Sequence, residues 1–532
     1  MTSDRRAVRR SGGLAVGVLL GILTVRPPDR LTAQTIDSIV VVNHNVFSAG
    51  GDGPGFVARL ANALHVTTRA GVIRRELLID PGQPYDSARV VESERALRAL
   101  NVFRLVQLDT VRVNGRLALR VETADGWSTK PQATFSSAGG SATWSLGLVE
   151  ENLVGTATQL TATYTSTPDR TSLEFQYQGP HLLWRRDALL LGYKNLSDGR
   201  VGLWSYGVPF FQTAARWSLV TDGESADQRV LSFDADTLFR TRQRRATRFD
   251  LRGGVALRAT NRDYVRFWAG AQWRREEFVA RDSTPPPASP DSVTAALGAG
   301  LEVAHARFRV VRHFDTYGRR EDLDLSQRLR VGAWVAPRAF GYPADRAGVG
   351  PFVEGQVSAV WPGGFVVLRG QTHGVYAPGG LDSGLVQGSL TIASQNLARQ
   401  TAVVHLEGGW LRRAKPGAEF DLWRDQNGPR LFGAHQLTGT RMVWLAVEHR
   451  VLVKDDLWGL LGVGVAPFLD YGGAWYANER AREGGDVGLS LRLGPTRATY
   501  GDVSELAVGY RFGEGFVGRR WAVTIRKGIT FK

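Results

Sequence analysis

The stretch PFLDYGGAW, residues 467–475, sets one carboxylate, Asp470, among aromatic, aliphatic and glycine residues. The stretch RMVWLAVEHRV, residues 441–451, does the same with Glu448. Read with a period of two, Val463, Val465, Leu469, Tyr471 and Trp475 share one face. Gly464, Ala466, Phe468, Asp470, Gly472 and Ala474 share the other. In the second stretch Val443, Leu445 and Val447 oppose Trp444, Ala446, Glu448 and Arg450, and the short segment KDDLW joins the two. Two inward carboxylates on adjacent strands call for a cation, because an unpaired buried charge is costly. Arg430, in NGPRLFGAHQLTG just upstream, is the candidate. A guanidinium bridges two carboxylates in a fixed geometry that an ammonium does not match. The chemistry is ion pairing that either positions a loop or braces a wall.

Other chemistries find little support. His435 and His449 lie nearby but lack ligand spacing, so neither is assigned a metal or acid–base role. The chain has no Cys, which excludes disulfides, thiolate metal sites and thiol catalysis. Its glycine-rich stretches lack a Walker pattern. No Ser and His are spaced for nucleophilic catalysis. The sequence therefore assigns no catalytic residue, no metal and no cofactor.

The elements that carry these residues follow from composition and period. Mean hydropathy is −0.18 and 43% of residues are hydrophobic. These values exclude a helical polytopic membrane protein but not a membrane β-barrel, whose inward residues are polar. The net charge of +15 is carried mostly by arginines. They are scattered singly and accompany no nucleic-acid motif, so nucleic acid is not a partner. An arginine-rich lumen, or affinity for anionic lipid headgroups, suits the scatter. A basic start, an apolar run from Leu14 to Val25 and Leu31-Thr32-Ala33 read as a secretory signal over 1–33, too short in its apolar part to span a bilayer.

From Pro131 onward the period is two. Leu173, Phe175 and Tyr177 oppose Glu174, Gln176 and Gln178. Leu231, Phe233 and Ala235 oppose Asp234 and Asp236. Val265, Phe267, Ala269, Ala271 and Trp273 oppose Arg266, Gln272 and Arg274. Val353, Val357 and Ala359 oppose Glu354, Gln356 and Ser358. Segments of about ten residues between turn-rich stretches mark a transmembrane β-barrel, here on the order of sixteen strands over 129–532. RDSTPPPASPDS, residues 281–292, reads as a long external loop. No repeat of about 40 residues is visible, which argues against propeller blades.

Ahead of the barrel, 34–128 reads as a small α+β domain of order β-α-α-β-β. IDSIVVVNHNVF (36–47) is a strand run, FVARLANALHV (56–66) and VIRRELL (72–78) have helical spacing, and Ser87 caps a helix with Val90, Val91, Ala96, Leu97 and Leu100 on one side. Residues 102–111 and 116–124 form a hairpin around Asn114-Gly115.

This order, with the Gly-x-Pro-Tyr turn, the Glu-x-x-x-x-Leu helix and Phe103, resembles a POTRA domain, the periplasmic module of the BamA-type outer-membrane assembly superfamily. The barrel resembles the same superfamily. Phe468-Leu469-Asp470-Tyr471-Gly472 is similar to its Phe-x-Asp-x-Gly strand. Pro429-Arg430-Leu431-Phe432 is partly similar to its Val/Leu-Arg-Gly-Tyr/Phe loop, with Leu431 where the glycine falls and a glycine later, at Gly433. Glu448 stands where the superfamily's second inward acid falls. WSLGLVEENLVG (144–155) and LRLGPTR (491–497) resemble its first strands and the strand after Phe-x-Asp-x-Gly. The resemblance implies a loop whose Arg430 enters the lumen and locks onto Asp470 and Glu448, with Phe468, Gly472, Phe432 and Gly433 as supporting positions.

The chain ends WAVTIRKGITFK, with Trp521, Val523, Ile525, Ile529 and Phe531 alternating outward. In the superfamily a terminal aromatic is an export signal; Trp521 and Phe531 stand for that signal here, with the departure that Lys532 follows Phe531. The opposite edge, QATFSSAGGS (132–141), is rich in Ser and Gly and poor in packing. Such an edge leaves a seam that recruits strands. The resemblance implies a factor that assembles or inserts outer-membrane proteins, in the bacterial outer membrane with its N-terminal domain in the periplasm. Its partners are then unfolded outer-membrane or secreted polypeptides, the bilayer with lipopolysaccharide-type lipids, and accessory periplasmic lipoproteins. A polypeptide secretion translocator working through the lumen is the alternative. A barrel enzyme would need the nucleophile geometry noted above, and a plain porin would not need the N-terminal domain.

Overall fold

The computed structural model describes residues 34–532, apart from 48–54, 139–140, 281–291, 342–346, 378–379, 424–427, 500–502, 517 and 528–532. The expected signal over 1–33, nearly all of the loop 281–292, and Ile529 and Phe531 lie outside the described residues.

The N-terminal domain is a three-stranded sheet. Ser38–His44 runs parallel to Arg116–Asp125, which pairs antiparallel with Phe103–Val113. Asn114 and Gly115, at φ 51° and 79°, make the two-residue turn that right-twisted strands favour. Three helices precede the hairpin, at the three segments with helical spacing, one more than the order β-α-α-β-β counts: Gly55–Leu64, Ala70–Glu76 and Ser87–Ala99. Ile73, Leu77, Ile79, Leu97, Phe103, Leu119 and Val121 form the core. Asp86, not Ser87, caps the third helix, accepting from Ala88 N at 2.9 Å and Arg89 N at 3.3 Å. Val91 is exposed. The buried slot belongs to Ser93, whose hydroxyl donates to Arg89 O at 2.7 Å and accepts from Leu78 N at 2.9 Å.

The expected closed antiparallel barrel follows, with 20 strands rather than about sixteen. The early strands have the expected length but follow one another closely. Gln159–Ser166 has 8 residues and Thr171–Pro180 has 10, and their turns are tight, so more strands fit the same length. Outward positions are large and apolar: Leu148, Phe175, Leu191, Leu251, Leu301, Val357, Leu406, Leu489 and Val508 are all exposed. Inward positions such as Gln356, Ser358, Glu407, Arg450 and Arg492 are polar and buried. Apolar outside and polar inside is what lipid outside and a polar interior demand of a transmembrane barrel.

Two alternation readings need correction. The strand Trp217–Asp234 ends at Asp234, and Ala235 and Asp236 form the turn at φ 44° and 69°. A register shift at Ser232/Phe233 takes Phe233 out of the outward series. The segment KDDLW is mostly strand: Arg441–Leu457 continues through it, and the turn falls at Trp458-Gly459, with φ 57° and 72°.

One element was not anticipated. Between the barrel strands Ser292–His305 and Gln327–Ala336, the chain forms a hairpin, Phe308–Arg312 with Arg320–Asp324. It packs Val311, Phe314, Leu323 and Leu325 against the barrel residues Phe365, Val367, Ala393, Val403, Trp444 and Ala446. It therefore occupies the lumen at the end that carries the N-terminal domain.

Candidate functional site

The segment between Gln400–Arg412 and Arg441–Leu457 folds back into the lumen, and Arg430 is its innermost charge. Its side chain is fully shielded from solvent. Nε donates to Asp470 Oδ2 at 2.6 Å, and Nη2 donates to Asp470 Oδ1 and Glu448 Oε2, both at 3.1 Å. Nη1 donates to Glu505 Oε1 at 2.8 Å, a partner the sequence reading missed. The Arg430 amide adds a 3.2 Å bond to Asp470, and the Leu431 amide donates to Asp486 at 2.8 Å. The structure thus brings Arg430, Asp470 and Glu448 together and adds Glu505 and Asp486 from the next two strands.

Glu448 Oε1 also accepts from Arg450 Nε and Arg492 Nη1, each at 2.7 Å. Arg526 approaches Glu505 at 4.0 Å. Glu448, Asp470 and Glu505 therefore pair with arginines 430, 450, 492 and 526, Asp315 also lies on Arg450, and Asp486 takes the Leu431 amide. Balance matters because each ion loses its water. Such a cluster adds little net stability over an apolar core, but removing one member strands its partners. The missed members had a signal. Continued alternation turns Asp486, Glu505 and Arg492 inward, and register sets Asp470 opposite Asp486 and Arg492 opposite Glu505.

The supporting positions explain how a bulky Leu431 is tolerated. Leu431 is fully buried with Phe468 and Ala507. A Cβ on Gly509 would lie 2.5 Å from the Val487 carbonyl oxygen and 2.9 Å from Leu431 Cδ1, so the missing side chain at 509 lets both the paired strand and Leu431 come close. Gly472 plays the same part nearby: a Cβ there would meet Leu422 Cδ1 at 3.2 Å and Pro429 Cδ at 3.5 Å. The Phe468 ring lies 4.0 Å beneath the Arg430 guanidinium, a cation–π contact. Phe432 meets Phe516 edge-on at 5.9 Å. The Gly433 amide donates to Gln436 Oε1 at 3.0 Å, closing the turn.

A second fastening lies nearer the loop's outer end. His435 bridges Asp421 through Nδ1 and Asp169 through Nε2, both at 2.8 Å. Its ring stacks on Phe233 at 3.6 Å. Burial alone would lower its pKa, but hydrogen bonds and charge from Asp169 and Asp421 outweigh burial and raise it to about 9. His449 is elsewhere, bonded to Gln400 at 2.8 Å.

The lumen hairpin joins this network to the N-terminal domain. Glu321 accepts the amides of Phe314, Asp315 and Thr316 at 3.2, 3.0 and 2.9 Å, which shapes the turn. Arg450 then donates to the Phe314 carbonyl and approaches Asp315 at 3.4 Å. On its other side Arg98 of the domain holds Asp322, Arg319 donates to Asn101 at 2.8 Å, and Arg95 lies 3.9 Å over Phe308. The domain also grips barrel turns directly, through Arg186 to Glu76 at 2.7 Å and Asn152 to Thr68 at 3.0 Å.

The barrel closes where Trp521–Lys527 meets Thr129–Ala138. Among the described residues this seam has three register pairs, Val523–Ser137, Thr524–Ser136 and Ile525–Phe135. The first strand makes ten with its other neighbour and the last makes seven. Trp521 is 67% exposed and meets Tyr510 edge-on at 5.7 Å.

No family model and no curated protein matches the chain. Solved structures do. CdiB from Escherichia coli shares 11% identity over 93% of this chain and 76% of its own, with a TM-score of 0.48. CdiB from Acinetobacter baumannii shares 10% over 93% and 73%, with a TM-score of 0.43. BamA from Haemophilus ducreyi lacking POTRA domains 1–3 shares 11% over 92% and 84%, with a TM-score of 0.39. Over about nine-tenths of its length, the chain is similar in structure to BamA and CdiB.

Proposed function

We propose that the protein assembles or inserts polypeptides at the outer membrane through its barrel seam, with the N-terminal domain on the periplasmic side and no covalent chemistry of its own. The observation that carries this reading is the seam. Among the described residues its ladder has three pairs, against eighteen between the longest neighbouring strands. Each ladder bond contributes on the order of 1 kcal/mol net, so opening costs least there, and the freed edges offer β-augmentation to an incoming strand. The Arg430 network is then the lock that seats the loop, with Asp470, Glu448 and Glu505 as its receptors. The N-terminal domain offers the client-binding surface at the barrel mouth. Passage through the lumen is the competing route. Both the loop and the hairpin occupy that lumen, so such passage requires displacing two packed elements.

The test is reconstitution into liposomes, with an unfolded small barrel added and its folding followed by gel shift. Acceleration is expected, and a Phe135→Cys/Ile525→Cys disulfide across the seam should abolish it until reduced. Acceleration that survives the oxidised cross-link, or none from well-folded protein, overturns the seam reading. Ion conductance on deleting 308–324 would then favour the translocator.

A further inference from the structure

Away from the lock, the opposite lumen wall carries a cavity of about 590 Å³. That is within the range of small-molecule sites, roughly 300–1,000 Å³. Arg248, Arg252, Arg274, Arg330, Arg412 and Lys415 line it, against one carboxylate among the described residues, Glu354. Lys415 comes from the start of the lumen loop, so the loop contributes to the cavity.

Most of these cations have partners at the margins. Arg248 pairs with Asp250 at 2.8 Å, Arg252 with Asp222, Arg330 with Glu354 at 3.3 Å, and Lys415 with Glu276. Arg274 and Arg412 make no hydrogen bond or ion pair among the described residues. Arg274 is also the direct register partner of Arg248, and alternation turns both into the lumen. Like charges set opposite each other on paired strands are destabilising. In the lock region, by contrast, five acids, Glu448, Asp470, Asp486, Glu505 and Asp315, stand among four arginines. Here the cations are left in excess.

The remaining lining is not that of a bare ion conduit. Trp334 and Phe352 supply aromatic surface, and Gln272, Thr294 and His373 supply hydrogen-bonding groups. Guanidinium groups bind phosphate oxygens in bidentate fashion, and an aromatic face suits the C–H face of a sugar ring. We infer that this cavity binds a phosphorylated saccharide, its phosphates held by Arg274 and the neighbouring cations and its ring against Trp334. The chemistry is shared by a soluble sugar phosphate and by the headgroup of a phosphorylated glycolipid.

Calorimetric titration of the detergent-folded protein with fructose 1,6-bisphosphate, fructose and inorganic pyrophosphate tests this. Saturable binding of the bisphosphate is expected, at least tenfold weaker with Arg274→Gln and with Trp334→Leu, and unchanged with Arg480→Gln at an exposed distant pair. Heat-modifiable gel mobility reports the folding of each variant. Displacement of the bound probe by a bisphosphorylated glycolipid in bicelles assigns the site to a membrane headgroup; its retention assigns it to a soluble ester. Equal binding by wild type and Arg274→Gln overturns the site. Pyrophosphate binding as tightly as the sugar bisphosphate overturns the saccharide.

Discussion

Arg98, in the third helix of the N-terminal domain, grips Asp322 of the lumen hairpin with two hydrogen bonds, Nε to Oδ2 at 2.6 Å and Nη2 to Oδ1 at 2.9 Å. It is the first link of a continuous chain. Asp322 adjoins Glu321, Glu321 shapes the turn at Phe314–Thr316, Arg450 holds that turn, and Glu448 joins Arg450 to Arg430. Domain and lumen loop thus share one network.

If that bond matters energetically, Arg98→Asp should raise hydrogen exchange in the hairpin 308–324, and Arg98→Asp with Asp322→Arg should recover much of the protection. A coupling energy of about 0.5–3 kcal/mol is expected from the double-mutant cycle. No recovery would mean the two substitutions act through separate local damage.

Removing the central cation takes the guanidinium hydrogen bonds from Asp470 and Glu505 and one of three from Glu448. Arg430→Ala should destabilise the docked loop by about 3–5 kcal/mol, the range for breaking a buried pair. Limited proteolysis within 413–440 reads this directly. Arg430→Lys should recover only part, because one ammonium cannot reach Asp470, Glu448 and Glu505 in the same plane.

The recess at Gly509 makes a steric prediction. Gly509→Val should crowd the Val487 carbonyl oxygen of the paired strand as well as Leu431, exposing the loop to protease and weakening the barrel's heat-modifiable gel mobility. Leu431→Ala should cost about 2–5 kcal/mol for the cavity it leaves. Leu431→Ala should not rescue Gly509→Val, since the contact of the new Cβ with the Val487 carbonyl oxygen, 2.5 Å, is untouched by it.

His435 makes the outer fastening pH-dependent. Its docked pKa of about 9 lies above the ordinary value of 6.5, so the docked loop holds the proton more tightly than the free loop does. Below pH 6.5 both states are protonated and the stabilisation is complete. It declines from there as the free loop deprotonates first, and is gone above pH about 9. Loop protection from protease should fall across that window and not at lower pH. His435→Asn, which tolerates the local φ of 62°, should make the profile flat.

Alternation and residue type carried much of this molecule. A strand's side chains reverse face at every residue, so inward Asp470 and Glu448, and the apolar outer wall, follow from position alone. Arg430 could be named because two buried acids require a cation and because it stands in NGPRLFGAHQLTG, the segment just upstream. The rest depended on distance in space. The strand count needed turn lengths, which alternation does not report. Glu505, Asp486 and Arg492 face the lumen by the same period, but only closure of the sheet brings them within reach of Arg430. Leu431 reads as a departure until register sets Gly509 against it. The lumen hairpin stayed hidden because its strands are five residues long, and its apolar residues pack on a wall some 40 to 140 positions away. The line of contact from Arg98 to Arg430 exists only once a barrel encloses the hairpin, since no local preference of the chain brings residues that far apart together.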